Sequence, residues 1–293
     1  MKPASFEYHA PETLEEALSL LEKLGDGAKP LAGGQSLVPA MNFRVVQPSA
    51  LVDLNGIAEM DYIRLTKDGE LQIGAMTRHR RLEFDEQVAK NVPLLHQAIP
   101  HIGHAQIRNR GTIGGSLVHA DPAAELPVVA LATKARIRVQ SVAGNRWIEA
   151  EDFFQGMFMT DLQPGEILLE VAIPPAPSRT GWGFIELSRR HGDYAMMGVG
   201  VRLSLDEDGK CSDAQLVYLN AGDGPVQAPE AATLLVGEKP SPALFEQAAA
   251  KASEGEIDPL GNLHASIAFQ RHLAEVVTRR ALDQAFQQAE AAA

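Results

Sequence analysis

Cysteine is almost missing from this chain: among 293 residues, Cys211 is the one thiol. A single cysteine excludes an internal disulfide and a cysteine-held iron–sulfur or zinc cluster within the chain. Positive charge is scarce as well. Lys and Arg total 26 against 38 Asp and Glu, giving a formal net charge of −12; this argues against nucleic acid as a partner, because neutralising phosphates takes clustered cations. No apolar run approaches the roughly 18 residues that cross a bilayer, so no integral membrane segment is expected. Met1 to Glu7 carries no apolar stretch of a secretory signal, which makes the cytoplasm the expected location. Motifs of fixed spacing are absent too. There is no G-x-G-x-x-G opening a helix, no Gly-Lys-Ser/Thr of a P-loop and no G-x-S-x-G elbow. His101 and His104 have no Cys or carboxylate at a metal-ligand spacing, so no metal site is expected.

What the chain does have is two glycine-rich segments far apart in sequence, Ala32-Gly33-Gly34-Gln35-Ser36 and Thr112-Ile113-Gly114-Gly115-Ser116. Glycine lets a main chain approach a ligand closely and adopt positive φ, and successive N–H groups then form an anion-binding concavity. The first lies between an extended stretch and a helix beginning near Ser36, whose N-terminus adds partial positive charge. Each segment alone also reads as a tight turn; together they read as one pyrophosphate cradle. Two basic clusters, Arg78-His79-Arg80-Arg81 and Arg108-Asn109-Arg110, could meet phosphates or a partner protein, with solvated surface the plainer reading of the first.

The pattern predicts two α/β lobes and a separate C-terminal unit. Thr13 to Glu16 reads as a capping box, and Leu14, Ala17, Leu18, Leu21 and Leu24 recur at helical spacing until Gly25. Strands are expected near 28–32 and 50–54, closing a first lobe of about 1–57. In a second lobe, 58–176, Lys67-Asp68-Gly69 joins a hairpin of 62–65 and 71–75. Helical segments broken at Pro93 and Pro100 follow over 81–102. After the second glycine segment come a helix through Val128 to Ala132, strands over 135–141 and 167–173, and a turn at Gly144-Asn145. Pro174-Pro175-Ala176-Pro177-Ser178 marks a boundary, since consecutive prolines cannot continue a ladder. Beyond it, 177–293 is expected to hold a three-stranded antiparallel sheet (183–189, 195–205, 214–221) and helices over 228–236, 241–252 and 265–290.

Taken in order, Ala32 to Ser36, the string Arg108 to Glu125, Pro164 to Pro174 (PGEILLEVAIP) and Phe184 to Ala195 (FIELSRRHGDYA) resemble the FAD-binding medium subunit of molybdenum hydroxylases, which include the carbon monoxide, nicotine and caffeine dehydrogenases and the central region of xanthine dehydrogenase. The resemblance spans nearly the whole chain. It implies an α+β class with the two-lobed FAD-binding fold of the vanillyl alcohol oxidase and xanthine dehydrogenase type, followed by a C-terminal α+β domain.

By the same resemblance, Leu31, Ala32, Gly33, Gly34, Gln35, Ser36 and Leu37 meet the FAD pyrophosphate from one side, and Thr112, Ile113, Gly114, Gly115 and Ser116 meet it from the other, with Asn109 and Gly111 supporting the turn. Glu125 stands where the family has an acid that bonds the ribityl hydroxyls; some relatives carry the shorter Asp there. Asp121 is either a ligand or an N-cap of the helix after Pro122. His119, in an expected extended segment, is a positioning or stacking residue or an acid–base group. Leu168 meets the isoalloxazine ring through its backbone or is plain strand core, and Tyr194 covers the ring face or packs into its own sheet. Some relatives place a lysine just after the phenylalanine at Phe184; this chain has Ile185 and Glu186, and a missing cation there bears on the flavin potential.

The function implied is electron transfer. A large partner subunit would carry the molybdenum cofactor, a small one two 2Fe-2S clusters, and this chain noncovalent FAD, within a dimer of heterotrimers. No catalytic residue is expected, since FAD carries the redox chemistry. Two rivals stand beside it: a self-sufficient FAD reductase or oxidase of the same fold, and a non-redox nucleotide-binding module.

Overall fold

The computed structural model describes residues 1–292. Its first lobe is a three-stranded parallel sheet of β1 (Glu7–His9), β2 (Ala28–Leu31) and β3 (Ala50–Asp53), in the order β1-β3-β2. Between β1 and β2 lies α1 (Leu14–Leu24), whose Thr13 hydroxyl accepts from the Glu16 N–H at 3.2 Å and whose C-cap Gly25 sits at φ 62°. Leu14, Leu18 and Leu21 are buried, and each such side chain withdrawn from water contributes about 1.5–3 kcal/mol. The cap and stripe read from the sequence are therefore the ones that form. β1 was not anticipated. Three residues give too short a run to show alternation, and the strand exists through its pairing with Ala50 to Val52. A short helix α2 (Leu37–Asn42) leaves the first glycine segment.

The second lobe is built on a five-stranded antiparallel sheet. It contains β4 (Ile63–Leu65), β5 (Leu71–Gly74), β6 (Arg136–Ser141) and β7 (Gly144–Glu149). The expected turn at Gly69 joins β4 to β5; the one expected at Gly144-Asn145 lies two residues earlier, at Val142-Ala143, because Gly144 and Asn145 already pair with Ser141 and Gln140 in the β6–β7 ladder. The helical stretch resolves into α3 (His79–Phe84), α4 (Glu86–Asn91) and α5 (Pro93–Ala98), because Asp85 caps α4 and Pro93 opens α5. Then come α6 (Ala105–Arg108), α7 (Ile113–His119), α8 (Glu125–Ala132) and α9 (Ala150–Phe153). A small ribbon, β8 (Phe154–Gly156) with β9 (Met159–Thr160), precedes β10 (Ile167–Ile173), the central strand of the order β4-β5-β10-β6-β7.

Past the prolines, β11 (Thr180–Leu187), β12 (Met197–Leu205) and β13 (Cys211–Leu219) form the expected antiparallel sheet, and a two-residue strand β14 (Val226–Gln227) adds a fourth at its edge. Helices α10 (Pro229–Leu235), α11 (Pro242–Lys251) and α12 (Ile267–Ala291) cover one face. α12 presses on β11 so closely that a Cβ on Gly181 would sit 1.7 Å from the Ala285 carbonyl oxygen, and one on Gly183 2.2 Å from that of Ala281. The opposite face of β11, with Trp182 and Phe184, belongs to the apolar core of the preceding lobes. The sheet is thus buried on both sides, and every residue of β12 is buried.

Candidate functional site

The two glycine segments meet. A Cβ on Gly33 would stand 2.3 Å from the Arg110 carbonyl oxygen and 2.8 Å from Gly111 Cα, so the segments are in backbone contact and only glycine fits. Beside this contact, a Cβ on Gly115 would lie 3.4 Å from Ala32 Cβ. Gly34, at φ 71°, turns the chain from β2 towards α2. The N–H groups of Gly33, Gly34, Gln35 and Ser36 donate to no acceptor among the described residues. Consecutive free donors of this kind are what an anion recruits.

The second segment is built differently from the loop expected. Its residues Ile113 to Ser116 form the first turn of α7, with Thr112 as N-cap accepting from the Gly115 N–H at 3.1 Å. The Ile113 N–H donates to Thr77 O at 3.1 Å, that of Gly114 to Ala75 O at 2.9 Å and that of Ser116 to Thr112 O at 3.1 Å. Gly114 is glycine because a Cβ would reach within 2.7 Å of Ala75. This segment is anchored to β5 and its following turn, and it serves as the wall against which the first segment's free donors are held. Asn109 is exposed and Gly111 buried at the approach to α7.

Two residues fasten the seam: Asn55, which the sequence did not single out, and Arg78, which it marked only as a member of a basic cluster. Arg78 donates from one guanidinium nitrogen to Arg110 O and from another to Asn55 Oδ1, and Asn55 in turn donates to Ala32 O at 2.9 Å. Arg78 is half-buried and His79 is 4% exposed, which corrects the view of Arg78 to Arg81 as solvated surface; only Arg80 and Arg81 are exposed. The reason is local: the Arg78–Thr112 bridge turns this run inward, and His79 N–H donates to Gly111 O at 2.9 Å. Neither ring nitrogen of His79 has a hydrogen-bond partner. Burial, with Arg108 and Arg78 adding to it, pushes its imidazole down to about 4, so it is neutral near pH 7. Arg108 is structural. It is 7% exposed, pairs with Glu83 at 3.0 Å and donates to the carbonyls of Ile102 at 3.2 Å and Gly103 at 3.0 Å.

Further along, His119 is the last residue of α7 and not part of an extended segment; its ring lies 5.1 Å from that of Phe158. Asp121 does not cap α8, whose N-cap is Ala124; its carboxylate instead accepts from the Ala123 N–H at 2.9 Å. Glu125 opens α8. Burial first, then Asp121, pushes its carboxyl up to about 7. Leu168 is 4% exposed in β10, next to a register shift against β6. Tyr194 is 74% exposed and is not packed into its sheet. With Asp121, Ala123, Arg189, Met196 and His264 it lines an open pocket of about 290 Å³ between the α7–α8 connection and the C-terminal unit. Asn55 escaped notice because nothing local marks a polar residue after a strand, and Arg78 reads only as one arginine of a basic run until the seam forms.

The seam and its free donors suit an anionic ligand, and the comparisons state the class of protein: a flavin-binding subunit of oxidoreductases. Residues 4–176 match the family described as FAD binding domain in molybdopterin dehydrogenase, and residues 182–285 match the CO dehydrogenase flavoprotein C-terminal domain. The chain belongs to this family of FAD-binding medium subunits. It is 43% identical to the 6-hydroxypseudooxynicotine dehydrogenase complex subunit alpha of Paenarthrobacter nicotinovorans, covering 99% of this chain and 97% of that one. It is 39% identical to the nicotine 6-hydroxylase medium subunit of the same organism, over 97% of this chain and 99% of the other. Among solved structures, a chain of the Hydrogenophaga pseudoflava carbon monoxide dehydrogenase superposes with a TM-score of 0.95 at 35% identity, over 98% of this chain and 99% of that one. The quinoline 2-oxidoreductase of Pseudomonas putida 86 gives 0.93 at 39%, over 99% of both chains. No helix among the described residues is long and apolar enough to cross a membrane.

Proposed function

We propose that this chain holds FAD noncovalently along the seam and acts as the electron-transfer subunit of a molybdenum hydroxylase. The observation that carries this is the row of free N–H groups from Gly33 to Ser36, held against Arg110 and Gly111 where no side chain fits. The residues present fit the cofactor: the donors suit a diphosphate, and Glu125, inside α8's first turn, suits hydroxyl donors of the ribityl chain. When bound, FAD supplies the redox chemistry, taking electrons from 2Fe-2S clusters on a small partner subunit and passing them to an external acceptor. The chain's own part is to bind and orient. Arg78 and Asn55 keep the seam closed, α7 walls it, and by the family resemblance Leu168 and Tyr194 would meet the isoalloxazine ring.

On this reading the flavin unit is 1–176 and the C-terminal unit 177–293. The molybdenum cofactor and the substrate belong to a large partner subunit, in a dimer of heterotrimers, and the compartment is the cytoplasm. Absorption spectra of the purified chain with and without added FAD, followed by heat release of the chromophore, test the first step. Flavin bands and recovered free FAD support it, whereas folded protein that takes up no flavin leaves a nucleotide-like module. Co-purification with iron–sulfur and molybdenum subunits separates the medium subunit from a self-sufficient FAD reductase or oxidase.

A further inference from the structure

β11 alternates between two environments. Ile185 and Leu187 pack on the core beneath α12, and Trp182 and Phe184 face the flavin unit. Glu186 shares the second face, an unexpected place for a carboxylate. Its side chain is 3% exposed, and its Oε2 is buried with no hydrogen-bond partner. The one basic group within 4.0 Å among the described residues is His101, whose ring leans on Phe184 with centroids 5.3 Å apart. His101 offers no reliable charge, since burial and then nearby His191 hold its imidazole below the ordinary value. An ionised carboxylate with no cation and no donor in such a place is costly, and the group binds a proton instead.

The second acid comes from α8: β12 sets Gly200 opposite Phe184 and Gly198 opposite Glu186, and Val128 of α8 stands 2.7 Å from where a Cβ on Gly200 would be, so α8, with Glu125 one turn before Val128, packs on this face of the sheet. Glu125, at the start of α8, makes no ion pair among the described residues, and its charge adds to burial in pushing Glu186 up to about 8. The titratable groups around the pair are Asp121 beside Glu125 on the α8 side, His101 from the turn after α5, and His191 and Tyr194 from the loop after β11. Two carboxyls whose titrations depend on each other behave as one unit, with the last proton lost only at alkaline pH.

We propose that Glu186 is a positioning residue for FAD: it stays protonated in its buried place, so that of the two acids only Glu125 carries charge, and Glu125 stays in place as the partner of a ligand hydroxyl. This rests on the FAD reading above. It assigns Glu186, a residue with no ligand contact, a role in how tightly the cofactor is held. Loss of the Glu186 proton puts two buried negative charges at the junction between the flavin unit and β11, near a ligand that is itself anionic. Affinity for FAD then becomes linked to pH on the alkaline side.

The experiment is FAD titration of the full chain by flavin fluorescence from about pH 6 to 10, for wild type, Glu186→Gln and Glu125→Gln. Wild-type affinity is expected to hold up to about pH 8 and to fall by as much as about tenfold per further pH unit, the limit for one linked proton. Glu186→Gln, which keeps shape and neutrality, should bind about as tightly at pH 7 and lose the alkaline fall. Infrared spectra of the ligand-free wild type give a second readout that does not involve FAD or depend on variants folding. They should show the C=O stretch of a protonated carboxylic acid at pH 7 that disappears at alkaline pH. A Glu186→Gln profile that overlays wild type, or a wild-type protein with no acid stretch at neutral pH, overturns the proposal. Folded wild type that shows the acid stretch but binds no FAD at any pH would refute the cofactor reading, and with it the positioning role, while leaving the buried protonated acid.

Discussion

Replacing Gly33 by alanine tests the seam at its closest point. The added Cβ would lie 2.3 Å from Arg110 O, 2.8 Å from Gly111 Cα and 2.9 Å from the Arg110 carbonyl carbon. All three are backbone atoms, so no side chain can swing aside. The two segments must separate by roughly 1 Å, and overpacking of this kind costs about 1–3 kcal/mol. Separation is resisted by Arg78, which bridges Arg110 to Asn55, and by the Asn55 bond to Ala32 O. The strain therefore falls on the cradle, and displacing one or two charge-assisted N–H bonds to a diphosphate, at about 1.5–3 kcal/mol each, weakens FAD roughly 10- to 100-fold or more. Gly34→Ala is the contrast. Its neighbours are the ends of side chains, Val38 at 3.1 Å and Leu31 at 3.2 Å, and its cost is conformational, because φ is 71°; that is about 1–2 kcal/mol. Fluorescence titration with FAD and thermal unfolding of the ligand-free chain measure both. Gly33→Ala protein that is folded and binds FAD with wild-type affinity would mean that the Gly33–Arg110 contact does not shape the site.

Two further outcomes follow from packing and charge elsewhere. Gly181→Ala drives a Cβ to 1.7 Å from Ala285 O and 2.6 Å from Ala289 N, both on the backbone of α12; urea unfolding should show a loss above about 3 kcal/mol, and a loss under about 1 kcal/mol would deny that α12 docks this closely. His79 is buried neutral with its pKa near 4 in the folded chain, against 6.5 when exposed. The unfolded chain takes up the proton first as pH falls, so stability is full above about pH 6.5 and declines towards pH 4, by about 3 kcal/mol at 1.36 per unit. His79→Gln should flatten that part of the stability–pH curve, and an unchanged slope would place the imidazole in water.

Much of this protein is local and could be read from residues alone. α1 declares itself because cap, stripe and terminal glycine all lie within one short stretch, and the β4–β5 and β12–β13 turns do so through Asp-Gly pairs. The glycine segments and the strings around them carried the family, and with it the cofactor. Three elements shifted on folding: β1, a strand only through its pairing with β3; the second glycine segment, a helix start in place of a loop; and His119, drawn into α7.

The separate elements were set by the sequence itself, through capping, periodicity and turn chemistry that act between near neighbours, and the fold class was legible through the family resemblance that its motifs carry. Tertiary structure alone decided that Gly33 touches Arg110, that Arg78 and Asn55 close the seam, and that Glu186 is buried beside Glu125. Each of these depends on which distant segments come to lie together, and desolvation and backbone contact exist only once they do.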